Sequence, residues 1–387
     1  MQQIERFTER HEELADRLDD YLDEHVMPEV EGWEAAGTMP LRAIVRDFGA
    51  HGFLGGRFDR AQGGGGGDIW DHVVLAEALA SVPSGGFGMA LTVHNDMVAP
   101  MLATHGSELA RAVHLSPALR GDLVLAHAVS EADAGSDVAA VATLAERTPR
   151  GYLLRGTKTL VVNGNEAGAY AVLARLPDAR PPFGFVMLSV ARDLPGVVVG
   201  EPANTIGVGT ASVTSEVRFE DVLVPEDFRL GGHGMGLVVQ LRQFEEERII
   251  SAVRACATAR DLLEIGYAWI DSRYVDGRPL RSRQTVAHRF AELHVGVRAI
   301  TELTYRAVDA WIAGETLNVW SPAVKLKSSR LVRDVADAVS HAFGAAAQMT
   351  GHPAGRARRD ARLYSISTGS DEMMLTAIAR AALGVAA

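Results

Sequence analysis

The chain has 387 residues, 47% of them hydrophobic and 22% charged, which is a globular composition long enough to bury a large core and divide into two or three domains. A formal net charge of −11 argues against nucleic acid or an anionic membrane as the main partner, while leaving room for a local basic pocket that holds an anionic ligand. The single cysteine, Cys256, excludes an internal disulfide and suits a reducing cytoplasm.

The first residues, Met1 to Phe7, are mixed and charged, and no stretch approaches the ~20 uninterrupted apolar residues of a membrane span. Residues 1–120 read as a helical domain. Leu14, Leu18, Tyr21 and Leu22 recur at helical spacing, and Val73, Val74, Leu75, Ala78 and Leu79 do so again. Between them stand five glycines, Gly63 to Gly67. A phosphate-cradling loop needs a preceding strand and a following Lys-Ser or Lys-Thr, and both are missing, so a flexible loop is expected.

From 121 to 228 the period shortens towards two. Leu123 to Ala126, Tyr152 to Leu154, Thr159 to Val162, Ala171 to Leu173, Phe185 to Leu188, Val197 to Val199 and Val217 to Phe219 are short β-like runs. Asn163-Gly164 is a strong turn dipeptide. A compact antiparallel β-domain, barrel or sandwich, is expected. The cluster Gly231 to Gly236 follows no βαβ unit and reads as a helix-entry loop. From 229 to 387 helices return, over 237–265, 285–313, 322–345 and about 370–384. In the second, Val286, Phe290, Leu293, Val297, Ile300 and Leu303 form an apolar stripe. The fold class is therefore α+β: an N-terminal helical domain, a middle β-domain and a C-terminal helical bundle.

Three stretches can carry chemistry. Residues 126–137, Ala-His-Ala-Val-Ser-Glu-Ala-Asp-Ala-Gly-Ser-Asp, are either an ordinary strand exit or a turn whose N–H groups and hydroxyls face a ligand. Glu245-Glu246-Glu247-Arg248 lies in a helix, where successive residues rotate by ~100°, so the three carboxylates cannot share one direction. Phe244 and Ile250 flank Glu247 at i−3 and i+3, which permits an inward orientation. Ser367 to Asp371 reads as a helix N-cap. His288 and His294, six apart, do not share a helix face, and no metal site, Ser-His-Asp set or Gly-x-Ser-x-Gly elbow is readable. Cys256, in an Ala-rich helical run, reads as a small core residue.

Ser130-Glu131 with Ala134-Gly135-Ser136-Asp137 resembles the flavin-binding signature of the acyl-CoA dehydrogenase family. Phe244 to Ile250 resembles the Glu-Arg helix segment of its isovaleryl and long-chain members, and Arg359 to Ile366 resembles the run into the family's C-terminal loop. The stretch Gly86 to Ala103 is similar to the helix that closes one end of the acyl cavity. The resemblance covers about residues 40–385. It implies FAD as cofactor and α,β-dehydrogenation of an acyl thioester, on CoA or on a carrier protein, with electrons leaving to an electron-transferring flavoprotein or similar acceptor. It also implies a homo-oligomer, dimer or tetramer.

Residue by residue, Glu247 falls on the position of the base. Thr368 stands where short- and medium-chain members carry theirs, and its backbone N–H, with a cofactor ribityl hydroxyl, would polarise the thioester carbonyl. Cofactor contacts fall on His127, Val129, Ser130 and Ser136, on Leu160 and Val162, on Arg273 and Gln284, on His341 and Gly344, and on Ser370 and Glu372 near the adenosine. Substrate contacts fall on Ser136, Phe244, Arg248 and Gly369. The chain departs from the family at Leu160 and Val162, which replace Trp and Thr, at Asp276, which replaces an aromatic residue, and at His341, which replaces Gln. These departures motivate two alternatives on the same fold, a flavin-dependent monooxygenase and a weakly catalytic subunit of a hetero-oligomer.

Overall fold

The computed structural model describes residues 6–205 and 214–384. Two compact units share the chain. One is built from Met1–Glu12, Ala36–His72 and Gly86–Phe244, the other from Glu13–Ala35, Val73–Gly85 and Glu245–Ala387.

The first unit is centred on an eight-stranded sheet. Its strands are β1 (Leu125–Ala128), β2 (Leu144–Thr148), β3 (Gly151–Val161), β4 (Ala169–Arg180), β5 (Phe183–Ala191), β6 (Val197–Pro202), β7 (Ser215–Val224) and β8 (Arg229–Leu230). They run in the order β6-β7-β3-β2-β4-β5-β8, with β1 alongside β4. Most pairings are antiparallel, as expected, but β1 pairs parallel to β4 (Leu125 opposite Ala169). In β4 side chains alternate between two cores. Ala169, Ala171 and Leu173 enter one, with Leu125, Val129, Phe185 and Met187. Tyr170, Val172 and Ala174 enter the other, with Tyr152, Leu154, Val217 and Phe219. A strand buried on both faces reads as a continuous apolar run, which Ala169 to Ala174 is.

Two local expectations are refined. The five glycines do not form a flexible loop: the amides of Gly63, Gly64, Gly65, Gly66 and Gly67 donate to carbonyls of Arg60, Asp59, Gly55, Phe58 and Gly56. A Cβ on Gly64 would lie 2.3 Å from the Phe58 carbonyl oxygen, so the run is glycine because backbone packs on backbone. Asn163-Gly164 does turn the chain, with Asn163 at φ +66, yet it closes no two-residue hairpin, because β3 pairs with β2 and β7 while β4 pairs with β1, β2 and β5. The Asn163 side chain instead donates to the carbonyls of Ala90 (2.8 Å) and Leu125 (3.1 Å).

The second unit is helical. Its main elements are α1 (Gly236–Ser272, which enters this unit at Glu245), α2 (Gln284–Ile312), α3 (Trp320–Phe343), α4 (Pro353–Asp360) and α5 (Asp371–Leu383). The apolar stripe of α2 packs Phe290, Leu293 and Val297 into a core with Leu262, Leu263, Val332, Val335 and Val339. Cys256 is buried, where a small apolar residue belongs. Among the described residues, no helix is long and apolar enough to cross a membrane.

Candidate active site

Two constellations of unusual side chains stand out, one in each unit. In the first unit, β1 leaves the sheet at Ala128 and the chain turns through Val129, Ser130 and Glu131. Three bonds hold the carbonyl side of this turn: Lys158 Nζ donates to the Val129 carbonyl (2.9 Å), the Thr159 amide to the Ser130 carbonyl (2.9 Å), and Lys158 Nζ to Glu131 Oε1 (2.7 Å). Glu131 also accepts from the Ala142 amide (2.6 Å), the Thr143 amide (3.0 Å) and the Thr143 hydroxyl (2.5 Å). Burial pushes the Lys158 ammonium down to about 8, against the pull of Glu131. Burial would raise the Glu131 carboxyl, but Lys158, Thr143 and Ala142 together hold it below its ordinary value.

On the other side of the turn Ser130, Gly135 and Ser136 are exposed, and the space around the Gly135 Cα is open. His127, half-buried, pairs through Nε2 with Gln240 Oε1 (2.7 Å). Burial holds the imidazole neutral, at about 4, despite the Gln240 bond. The Gln240 Nε2, fully buried, has no hydrogen-bond partner among the described residues. In β3 a bulge separates Lys158 from Val161 and turns Leu160 outward at φ +53, 66% exposed, while Val162 packs against the core. An apolar platform, a hydroxyl-lined turn and one buried donor awaiting an acceptor fit a planar heterocycle with a phosphate-bearing tail. The site residues named from sequence at 127, 129, 130, 136, 160 and 162 thus belong to β1, its exit and the end of β3.

In the second unit Glu247 is 2% exposed, whereas Glu245 and Glu246 are half-buried, so the three acids do diverge. Ile250, at i+3, is buried beside it in sequence, as the flanking apolar positions allow. The neighbouring Arg248 donates from Nε to the Thr368 carbonyl (2.9 Å). Lys325, buried in α3, donates to the next carbonyl, that of Gly369. Burial pushes Lys325 down to about 8, while Asp371 pulls the other way. Thr368 adopts φ +57 and Gly369 φ +104, and the buried Thr368 Oγ1 has no hydrogen-bond partner among the described residues. The positive φ of Gly369, which L side chains rarely adopt, explains a glycine there. Ser370 caps α5 by accepting the Met373 amide (3.4 Å), and Asp371 is held by Ser329 (2.9 Å) and Arg330 (3.2 Å).

The remaining sequence-derived positions lie apart from these. Arg273 and Gln284 are exposed, on either side of the hairpin β9 (Tyr274–Val275) and β10 (Arg278–Pro279), with Asp276 at its tip bonded to Arg283 (3.2 Å). His341 and Gly344 end α3 and line a groove of about 420 Å³ with Ser340, Gln348 and Arg358. Glu372 is exposed beside a second groove of about 820 Å³ lined by Lys327, Arg330, Arg333 and Arg362. The only His/Asp cluster of metal-ligand geometry among the described residues, His11, Asp68 and Asp71, is already closed by the Arg10 guanidinium, which binds both aspartates. His294 is exposed and bonds Tyr267 (3.0 Å).

Sequence reasoning passed over Lys158, Gln240 and Lys325. Lys158 had a legible signal: it follows Tyr152, Leu154 and Gly156 on the inward phase of β3, where a lysine needs a partner.

The comparisons with known proteins bear on the chain as a whole. Residues 8–122 match "Acyl-CoA dehydrogenase, N-terminal domain", residues 126–222 "Acyl-CoA dehydrogenase, middle domain" and residues 234–383 "Acyl-CoA dehydrogenase, C-terminal domain". The mitochondrial long-chain specific acyl-CoA dehydrogenase of Sus scrofa is 30% identical over 381 residues, 97% of this chain and 86% of that one. The crystal structure of an acyl-CoA dehydrogenase from Geobacillus kaustophilus superposes with a TM-score of 0.93 at 29% identity, over 97% of this chain and 98% of that one. That of a glutaryl-CoA dehydrogenase from Mycobacterium smegmatis, in complex with FADH2, gives 0.91 at 25% identity, over 100% and 97%. With all three domains matched in order, the chain belongs to the acyl-CoA dehydrogenase family of FAD-using flavin oxidoreductases.

Proposed function

We propose that this chain binds FAD and removes hydrogen from the α and β carbons of an acyl thioester, carried by CoA or by a carrier protein. The observation that carries the reading is the burial of Glu247: of three consecutive glutamates, the one on the family's base position is withdrawn from water. A carboxylate held out of water on this helix can serve as the base for the weakly acidic α-proton of a thioester. Neither alternative, oxygen-using monooxygenase or weakly catalytic subunit, calls for a carboxyl in that state.

FAD, when bound, supplies the hydride acceptor that no side chain can provide. The residues around the β1 exit fit its ring and pyrophosphate: Leu160 and Val162 offer apolar surface, Ser130 and Ser136 offer hydroxyls, and Gln240 Nε2 a buried donor with no partner among the described residues. Glu247 takes the α-proton onto its carboxylate. The Thr368 amide, in a turn whose carbonyls are tied down by Arg248 and Lys325, polarises the thioester carbonyl and lowers the acidity barrier at the α-carbon. The Thr368 hydroxyl, buried and without a partner among the described residues, is a second donor for the same oxygen. Electrons then leave for an electron-transferring flavoprotein or similar acceptor. The protein is proposed to work in the cytoplasm as a homo-oligomer.

The test is the visible absorption spectrum of the purified protein, recorded before and after anaerobic addition of acyl-CoAs of different length and branching. The reading expects a flavin spectrum that at least one thioester bleaches. A flavin spectrum untouched by every thioester, with oxygen consumed only beside a separate reductase, would replace it by the monooxygenase reading.

A further inference from the structure

The β1 exit can face a flavin only if its backbone is turned the right way, and the structure shows what turns it. Lys158 has no exposed surface and lies on the inward phase of a strand whose other inward residues, Tyr152, Leu154 and Val161, are apolar. An ammonium there is expensive to bury, so its partners say what it is for. It has two acceptors, the Val129 carbonyl (2.9 Å) and Glu131 Oε1 (2.7 Å), two residues apart on the same turn. Its neighbour in sequence, Thr159, donates its amide to the carbonyl between them, that of Ser130 (2.9 Å).

Three successive residues of the turn are thus drawn towards the bulged end of β3 by their acceptor atoms. In a trans peptide the C=O and the following N–H point in opposite directions. Pulling the Val129 carbonyl to one side therefore turns the Ser130 amide to the other, while the Glu131 amide closes the turn by donating to the Ala134 carbonyl (3.0 Å). Glu131 completes the device from the far end. Its carboxylate accepts from Ala142 and Thr143 as well as from Lys158, so it ties the turn to the segment leading into β2. A Cβ on Gly156 would lie 2.5 Å from Thr143 Oγ1, so β3 approaches Thr143 at a second place.

We propose that Lys158, together with Glu131 and Thr143, is the positioning device of the flavin turn: it fixes the direction of the Ser130 amide and so sets both how tightly FAD is held and the environment of its ring. Lys158 is a positioning residue, acting through the backbone it holds. The inference rests on the proposed binding of FAD at this turn, and the experiment separates the two.

FAD affinity of the apoprotein is measured by quenching of flavin fluorescence, and the midpoint potential and visible circular dichroism of the bound flavin are recorded, for the wild type and for Lys158→Met, Lys158→Arg and Thr143→Val. The expected result is about 10- to 100-fold weaker FAD binding by Lys158→Met, a changed flavin dichroism and potential, partial rescue by Lys158→Arg, and a smaller change of the same sign for Thr143→Val. Thr143→Val deletes one hydroxyl and keeps the shape, so it reads the device even if Lys158→Met does not fold. Wild-type protein that takes up no FAD would defeat the functional reading itself. FAD bound by the wild type and by Thr143→Val with the same affinity, dichroism and potential would overturn the positioning role alone.

Discussion

Arg248 donates from Nε to the carbonyl oxygen of Thr368 at 2.9 Å, joining positions 120 residues apart in the chain. Arg248 follows Glu247 directly on α1, and Thr368 opens the turn that Lys325 secures from α3. The proposed base and the proposed carbonyl-polarising turn are therefore set relative to one another by a single charge-assisted bond. Arg248→Gln is expected to leave the protein folded and to lower kcat about 10- to 100-fold, since a charged hydrogen bond of this kind is worth ~1.5–3 kcal/mol. Arg248→Lys keeps the charge but loses the Nε geometry and is expected to recover only part of the loss. Steady-state kinetics with the best thioester decides it, and an unchanged kcat in Arg248→Gln would remove the turn from the mechanism.

Asn163 is buried, makes two bonds to carbonyls and holds φ +66. Asn163→Ala leaves the Ala90 and Leu125 carbonyls without these donors and replaces a residue type that tolerates the left-handed region by one that does not, together about 3 kcal/mol of lost stability. Asn163→Gly loses the same bonds but relaxes the backbone, and is expected to be ~1 kcal/mol more stable than the alanine variant. Urea unfolding of the two variants side by side makes the comparison. Equal stabilities would mean that the backbone conformation at 163 carries no strain.

His94 sits fully buried and neutral, its Nδ1 accepting the Leu125 amide (3.1 Å) and its Nε2 donating to the Ala118 carbonyl (3.2 Å). Burial holds its pKa at about 4, against an ordinary value of 6.5. The folded value lies below the unfolded one, so between these two pH values the unfolded chain takes up a proton that the folded chain refuses. Stability is therefore intact above pH 6.5 and falls as the pH drops towards 4, by up to ~3 kcal/mol from this residue at ~1.4 kcal/mol per unit. His72 and His114, also held low by burial, add slope of the same sign. Denaturant midpoints measured from pH 7 to 4.5 are expected to fall steadily, and His94→Gln to flatten the slope by about one proton. A midpoint independent of pH over that range would show that these rings are not held neutral.

Much of the fold was legible. The change from helical spacing to short runs and back marks the β-rich middle, and the stripe Phe290, Leu293, Val297 of α2 enters the core as its period demands. Glu247 was legible only in part: rotation by ~100° per residue says that three glutamates diverge, but not which one turns inward. The parallel pairing of β1 with β4 was not legible, because partner choice depends on contacts far apart in sequence. The glycines at 63–67 misled for a related reason, since composition reports backbone freedom and says nothing of the carbonyls that use it up. Lys325 had no visible signal, its acceptor being a backbone carbonyl 44 residues away.

The central claim is that Glu247 removes the α-proton, and Glu247→Gln tests it most directly. The amide keeps the size of the side chain and cannot accept that proton. With FAD bound at wild-type affinity, stopped-flow bleaching of the flavin by the best thioester is predicted to slow by about 10³-fold or more. Bleaching by Glu247→Gln at the wild-type rate, with its FAD in place, would contradict the account.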